Sequence, residues 1–172
     1  MPVSIELKPR YIRLARKIAK ERNASFEERE NYDNDSDTWG VDPEERNSRG
    51  VMGELAFAKY ADLQVDSSTS EWSDGGYDFE VVLRGEPTTV DIKTSNKEPE
   101  ALMVKEYAVN ADYYILGYLD GQTVTFYGGA GRETIENGIR KKSPFGHTNL
   151  TLGVEYLDPL PDPKEITELT PT

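Results

Sequence analysis

Two β-hairpin patterns in the middle of the chain constrain the fold more than any other feature. Two strand-like runs, Phe79–Leu83 and Thr88–Ser95, are separated by the turn Arg84-Gly85-Glu86-Pro87. Residues 113–127 are interrupted by Asp120-Gly121, a dipeptide that strongly favours a hairpin turn. Because helical patterns precede both hairpins, the sequence predicts an α/β or α+β domain, and we favour α/β with a mixed central β-sheet flanked by helices.

Further elements are predicted on both sides of the hairpins. Pro9 suits a first helical turn, and apolar residues follow it at helical spacing, so a basic helix is predicted at about 9–22. The other predicted elements are a helix at about 48–61, a short strand at 63–65, a short helix at 132–138 and a last strand at 150–157. We expect a single domain over residues 1–158 and a frayed, Pro-rich tail at 159–172.

The charge of the chain is unevenly distributed. The formal net charge is -12, yet residues 1–22 contain seven Lys or Arg and two acids, a local charge of +5. Residues 23–45 contain one Arg and nine acids, a local charge of -8, and an acidic loop is predicted at about 27–46. Acids at 33, 35, 37 and 44 have the spacing of a calcium-binding loop, but Thr38 replaces the required glycine, so a solvated loop is favoured. A negative total with basic patches fits a metal-dependent DNA enzyme, and it also fits a protein from a high-salt cytoplasm.

Several classes of protein are disfavoured by the sequence. No apolar run approaches the roughly 20 residues that cross a bilayer, and basic residues interrupt any signal-peptide pattern near the N-terminus. The chain contains no cysteine for a disulfide or a thiolate metal site. We expect a cytoplasmic protein (host cytoplasm if the source is a virus) with no membrane partner.

Asp91-Ile92-Lys93 is the segment with the most chemical content. Strand side chains alternate, so Asp91 and Lys93 should point one way while Ile92 points into the core. A carboxylate beside an ammonium can hold a divalent cation and position a water, as hydrolysis of a phosphate ester requires. The acid-x-Lys pattern also occurs at 6–8 and 162–164, so only its β context gives this copy weight. An ordinary surface charge pair is the alternative.

Two more carboxylates could join this pair. Asp78 stands at the start of a strand, after a glycine-rich loop, where a simple turn residue is the alternative reading. Glu54 has apolar neighbours one helical turn away in both directions, so it either reaches water at the edge of the core or faces the same cleft. Three carboxylates and a lysine are enough to bind one or two Mg²⁺ ions.

At these residues the chain resembles the PD-(D/E)XK nuclease superfamily, and within it the small viral or archaeal members. The matching segments are, in order, Arg49–Ala56, Tyr77–Val81 and Val90–Ser95, and the resemblance covers about residues 47–157. Tyr77 stands at the position of the proline that names the motif. Many members of the superfamily also lack this proline. The resemblance implies a restriction-endonuclease-like core and a Mg²⁺-dependent deoxyribonuclease, endo- or exonuclease.

The resemblance also implies residue roles. Asp78 and Asp91 would bind Mg²⁺ (or Mn²⁺) together with the Ile92 carbonyl, and Glu54 would bind a second metal or a metal-bound water. Lys93 would orient the attacking water and offset the charge of the transition state. Thr94 and Ser95, which follow in the motif, would contact the scissile phosphate.

Other candidate DNA contacts are basic side chains. One face of the first helix is either solvated or in contact with phosphates, and its residues are Arg10, Arg13, Lys17 and Lys20. Arg132 follows a glycine-rich turn and could touch DNA. Lys141-Lys142 is a short basic patch for which solvation is the simpler interpretation.

The sequence therefore predicts a nuclease that hydrolyses DNA phosphodiester bonds with a metal-activated water. A catalytically inactive DNA-binding or assembly module with the nuclease fold is the first alternative. An acidic inhibitor that imitates DNA is the second. A homodimer is compatible with cutting both strands, although no sequence pattern demands one.

Overall fold

The computed structural model describes residues 2–27, 43–63, 78–144 and 146–168. Short 3-10 helices lie at Glu106–Ala108, Val154–Tyr156 and Pro163–Glu165. The strands and α-helices are, in chain order, β1 (Val3–Glu6), α1 (Pro9–Glu27), α2 (Pro43–Ala61), β2 (Phe79–Leu83), β3 (Glu86–Ser95), β4 (Ala101–Lys105), β5 (Tyr113–Asp120), β6 (Thr123–Gly131), α3 (Arg132–Glu136), β7 (Ile139–Lys142), β8 (Thr148–Gly153) and β9 (Ile166–Glu168).

A six-stranded sheet in the order β1-β6-β5-β3-β2-β9 forms the centre of this fold. β3 and β5 are parallel, with Ile92 opposite Ile115, while the other neighbours in this sheet are antiparallel. A parallel pair needs a long crossover connection, and residues 96–112 provide it by way of β4. The α/β class and the mixed sheet are therefore confirmed.

Both predicted hairpins are present in the sheet. Arg84 and Gly85 have φ angles of 51° and 82° and form the turn between the paired residues Leu83 and Glu86. Positive φ at both turn positions matches the twist of the flanking strands. In the second hairpin, Gly121 has a φ of 63° directly after β5.

The two faces of the central sheet are covered by different layers. α2 packs on the face that carries Val90, Ile92 and Ile115, and α1 packs over α2. The opposite face carries Tyr114 and Leu116 and is covered by a second sheet in the order β4-β8-β7. The two long helices thus lie on one face, whereas the sequence predicts helices that flank the sheet. Strands β4, β7 and β8, of which only β8 overlaps a predicted strand, cover the other face.

The central part of α2 is surrounded by protein. Residues 51–58 are all buried, as expected for a helix that lies between a sheet and another helix. At Gly53 the helix approaches β3 so closely that an added Cβ would overlap Thr94 Oγ1 and lie 3.1 Å from Thr94 Cβ. The missing side chain at Gly53 therefore permits the close approach of α2 to β3.

The predicted frayed tail at 159–172 is wrong for residues up to 168. Asp162 begins a 3-10 helix with a capping box, and Arg84 forms an ion pair with Glu165. β9 then pairs with β2 and buries Ile166 in the main core at 4% exposure. The sequence does not predict this strand, because the prolines of the tail indicate an irregular segment. Ile166 is the one residue of β9 that is buried in the core.

Some predictions fall on parts of the chain that are not described. The calcium-loop spacing lies outside the described residues, as does the strand at 63–65 beyond Leu63. The acidic loop at 27–46 also lies outside them, apart from Glu27 at the end of α1 and residues 43–46 at the start of α2. In the described ranges, no helix combines the length and the apolarity needed to cross a membrane.

Candidate active site

Strand alternation on β3 sets the orientation of the acid-x-Lys motif. Ile92 is 6% exposed and belongs to the core beneath α2. Asp91 and Lys93 point to the opposite face, where Lys93 Nζ lies 2.7 Å from Asp91 Oδ2. Asp91 is 8% exposed, so this is a half-buried ion pair rather than a solvated surface pair.

Asp78 reaches the same motif from the start of β2. Its backbone N–H donates to Val90 O at 2.9 Å, which continues the β2–β3 ladder by one residue. Its side chain then extends beyond the ladder, where Asp78 Oδ2 accepts the Ile92 N–H at 2.7 Å. The N–H and C=O of one strand residue point to the same side, so the Ile92 carbonyl also points toward Asp78.

Glu54 enters the cluster from the helix layer. It is 5% exposed in the middle of α2, where an isolated carboxylate would be costly. Its partner is the Asp78 carboxyl, with which it forms a side-chain hydrogen bond. The structure therefore brings together the four residues proposed as catalytic, and the alternative in which Glu54 reaches water does not apply.

The proximity of the acids perturbs Asp78 strongly. Burial is the largest cause that raises the pKa of Asp78 well above its usual value, and the charges of Glu54 and then Asp91 add to it. The hydrogen bond from the Ile92 N–H lowers the pKa but does not compensate. A hydrogen bond between two carboxyl groups requires a proton, so the raised pKa of Asp78 favours a proton shared between Asp78 and Glu54.

Lys93 keeps its charge in this environment. Burial lowers the pKa of its ammonium, but the ion pair and hydrogen bond with Asp91, together with the charge of Asp78, outweigh burial and leave the pKa raised. Lys93 is therefore a cation at neutral pH. It can donate hydrogen bonds and offset negative charge, but it cannot act as a general base.

The donor set suits a hard divalent cation. Mg²⁺ and Mn²⁺ prefer oxygen ligands, and these residues offer carboxylates and a carbonyl. A proton shared by two buried carboxyls marks a place where a positive charge relieves repulsion, and a bound cation would do the same. Within the described ranges, however, no group of three or more His, Cys, Asp or Glu side chains is already arranged as a metal shell.

A cleft of about 640 Å³ opens beside Lys93. One side is formed by the first part of α2 and the end of β3, including Arg49 and Lys93. The other side is formed by the second sheet, including Met103, Lys141 and Thr151. Lys93 is thus the member of the cluster that lines this open space.

The predicted phosphate-contacting residues of the motif lie at this cleft. Thr94 and Ser95 both line it directly after Lys93. Thr94 Oγ1 is buried and has no hydrogen-bond partner in the described part of the chain. Ser95 Oγ is already engaged, since it donates to Lys97 O at 2.6 Å and accepts from Lys97 N at 3.2 Å.

The other predicted DNA contacts lie elsewhere. The basic side chains of α1 are exposed on the outer helix, and none of them lines the cleft; they are Arg10, Arg13, Lys17 and Lys20. Arg132 has a structural role, because its guanidinium donates to Ala111 O at 3.0 Å and to Asn110 O at 2.7 Å. These bonds hold the loop that precedes β5.

Sequence reasoning did not find the far wall of the cleft. The sequence predicts neither β4 nor β7, so it does not indicate which way the Met103 side chain points. The sequence predicts Lys141 only as part of a short basic patch that is solvated. Their roles depend on β4-β8-β7 pairing, which a single sequence does not reveal.

No protein-family model, curated protein or solved structure matches this chain significantly.

Proposed function

We propose that this protein is a metal-dependent nuclease of the PD-(D/E)XK type, with a restriction-endonuclease-like core, that hydrolyses DNA phosphodiester bonds. The observation that carries the proposal is the convergence of Glu54, Asp78, Asp91 and Lys93 on one sheet edge beside a cleft. A protein without such chemistry has no physical reason to bury three mutually repelling carboxylates. The mixed sheet, with Asp78 and Asp91 on adjacent strands, is compatible with the expected core.

Asp78, Asp91, Glu54 and the Ile92 carbonyl would hold Mg²⁺ or Mn²⁺. When bound, the cation supplies charge neutralisation and a water of lowered pKa. The chain's own contribution is to place the oxygens in advance. The Ile92 N–H donates to Asp78 Oδ2 at 2.7 Å and so fixes the position of this carboxyl group beside Glu54.

Lys93 acts as a fixed positive charge at the mouth of the cluster. Its side chain is 43% exposed, so its ammonium can contact a substrate in the cleft while it remains beside Asp91. An ammonium in that position donates to a phosphate oxygen or to the attacking water and stabilises charge that develops in the transition state. Thr94 Oγ1 is buried against Gly53 of α2, on the face of β3 opposite to Lys93, so this hydroxyl does not reach the same phosphate.

The proposal is tested by incubating the protein and its variants with labelled DNA in Mg²⁺ or Mn²⁺. We expect cleavage by the parent protein and a loss of about 100-fold or more in Asp91→Ala and in Lys93→Ala. Lys97→Ala is the matched control, because Lys97 is an exposed lysine four residues along the chain that does not line the cleft. Robust cleavage by both cluster variants would refute the assignment.

One observation favours a non-catalytic DNA-binding or assembly module instead. The Lys93 ammonium occupies an oxygen of Asp91 that a cation would need. Calorimetric titration distinguishes the two functions: millimolar or tighter binding of Mn²⁺ supports the nuclease, and no binding supports the module.

The DNA-mimicking inhibitor receives less support. Such a protein needs its acids on an exposed face, whereas Glu54 and Asp91 are 5% and 8% exposed. The acidic segment that would best serve an inhibitor lies outside the described residues.

A further inference from the structure

The second sheet differs in charge from the rest of the chain. Strands β4, β7 and β8 contain four Lys or Arg and no Asp or Glu, although the whole protein has a net charge of -12. Strand alternation divides the four cations into two pairs. Lys105 and Lys141 face the cleft side, and Arg140 and Lys142 face the other side, where Arg140 Nε donates to Glu106 Oε2 at 2.9 Å.

The strand register arranges the cleft-facing side of this sheet in two rows. Asn149 pairs with Lys105 on one side and Lys141 on the other, which gives a polar, basic row. In the next row, Thr151 lies between Met103 and Ile139. Neighbouring strands are about 4.8 Å apart, so each row extends across the wall for roughly 10 Å.

The second row combines apolar exposure with an unsatisfied polar atom. Met103 is 57% exposed and Ile139 is 67% exposed, which is unusual for large apolar side chains. Thr151 between them is 7% exposed, and its hydroxyl has no hydrogen-bond partner in the described ranges. The row therefore presents an exposed apolar surface beside the basic row, with the Thr151 hydroxyl buried beneath it.

An aromatic ring stands at the end of the basic row. Tyr107 follows β4 directly and is 71% exposed. Lys105 Nζ lies 5.8 Å from the centroid of this ring, and the His147 ring packs against it edge to face at 6.4 Å. Lysines beside an exposed, positioned aromatic ring are typical of surfaces that bind single-stranded nucleic acid, because unpaired bases stack on the ring while phosphates meet the cations.

We propose that the cleft-facing side of the β4-β8-β7 sheet binds a single nucleic-acid strand and directs it toward Lys93. The proposal rests on the function proposed above and names its substrate as single-stranded or locally unpaired. Lys105 and Lys141 contact the phosphates, Tyr107 stacks on a base, and the strand passes through the cleft between Lys141 and Lys93. A continuous duplex offers no unstacked base to Tyr107 and so binds more weakly.

The test is fluorescence anisotropy with a labelled single-stranded oligonucleotide in EDTA, where no cleavage occurs. We expect Lys105→Ala/Lys141→Ala to bind at least tenfold more weakly and to reduce the slope of log affinity against log salt by about 1.4, the value for two lost phosphate contacts. Arg140→Ala/Lys142→Ala removes the same charge from the other side of the sheet and should bind within twofold of the parent. Tyr107→Ala should weaken single-strand binding about fivefold or more.

The outcomes separate this inference from the proposed nuclease. Equal losses of affinity in Lys105→Ala/Lys141→Ala and Arg140→Ala/Lys142→Ala would overturn the proposed strand-binding face. A preference for duplex DNA that Tyr107→Ala does not change would also overturn it. Binding that depends on Lys105 and Lys141 without cleavage in Mg²⁺ or Mn²⁺ would support this face and count against the nuclease. Cleavage by the parent protein, together with parental affinity in Lys105→Ala/Lys141→Ala, would support the nuclease and count against this strand-binding face.

Discussion

Asp78 accepts the backbone N–H of Ile92 at 2.7 Å, and this single bond connects the start of β2 to the middle of the acid-x-Lys motif. The bond engages Asp78 Oδ2, and the same carboxyl group also forms a side-chain hydrogen bond with Glu54. Because the donor is a backbone group, the position of Asp78 does not depend on the rotamers of its acidic neighbours. The cluster is thereby preorganised, at the cost of like charges held close together.

The first prediction concerns the stability of the metal-free protein. Asp78→Asn should raise the free energy of unfolding by about 1 kcal/mol or more at neutral pH, because an amide can still accept from Ile92 and donate to Glu54 without a charge. Asp91→Asn is the matched comparison and should be destabilising by about 1 kcal/mol, since it removes the partner of Lys93. Chemical denaturation in EDTA measures both. A destabilised Asp78→Asn would show that the acids do not repel each other as proposed.

The second prediction concerns pH. The pKa of Asp78 is raised in the folded state, so the folded protein binds more protons than the unfolded chain at pH values between the two pKa values. This contribution to stability is fully present below about pH 4, the usual range of an aspartate, and is lost as the pH rises through the folded pKa. The stability gain of Asp78→Asn over the parent should therefore grow as the pH rises from about 4. A gain that is independent of pH would contradict a proton shared with Glu54.

The third prediction concerns divalent cations. Mg²⁺ or Mn²⁺ should stabilise the parent protein by about 1.4 kcal/mol at ten times its Kd, and the effect should strengthen with pH because the shared proton must leave. Asp78→Asn should lose most of this stabilisation. Thermal unfolding with and without the cation, with NaCl at matched ionic strength as control, provides the measurement. Equal stabilisation of both proteins would locate the cation elsewhere.

The fourth prediction concerns the close approach of α2 to β3. Gly53→Ala should destabilise the protein by about 1–3 kcal/mol, because the new methyl group overlaps the Thr94 side chain. Gly50→Ala, three residues earlier in the same helix, has no atom within 4 Å of the new methyl group and should be neutral or stabilising by up to about 1 kcal/mol. Denaturant titration of both variants measures the difference, and equal effects would argue against the close approach.

The fifth prediction concerns the C-terminal strand. Ile166→Ala should destabilise the protein by about 2 kcal/mol or more, because Ile166 is 4% exposed in the main core. The neighbouring Thr167 is exposed on the same strand, so Thr167→Ala should have little effect. A neutral Ile166→Ala would indicate a frayed tail after all.

The elements that sequence could predict are those with strong local signals. Both hairpins have turn residues that require positive φ, and α1 has clear helical periodicity, so local chemistry alone identifies them. Strand phase also gave the orientation of Asp91 and Lys93 relative to Ile92. The order of Glu54, Asp78 and Asp91 along the chain was enough to suggest that they meet.

The missed elements depend on pairing between distant parts of the chain. β1 and β9 are short edge strands of four and three residues, and each is stabilised by a partner far away in sequence. β7 is entirely exposed and has three consecutive basic residues, so nothing in its own pattern indicates a strand. The sequence therefore does not predict the far wall of the cleft, and it does not indicate that Lys141 lines the cleft.

The most direct measurement of the central claim is the rate of Mg²⁺-dependent DNA cleavage by Asp78→Asn relative to the parent protein. The variant should be at least as stable as the parent without metal, so unfolding cannot account for a loss of activity. We predict cleavage by the parent and a rate on the order of 100-fold or more lower in the variant, because one cation ligand is lost. Cleavage by the variant at the parental rate, or no cleavage by the parent on any DNA substrate, would contradict a metal-dependent nuclease at this site.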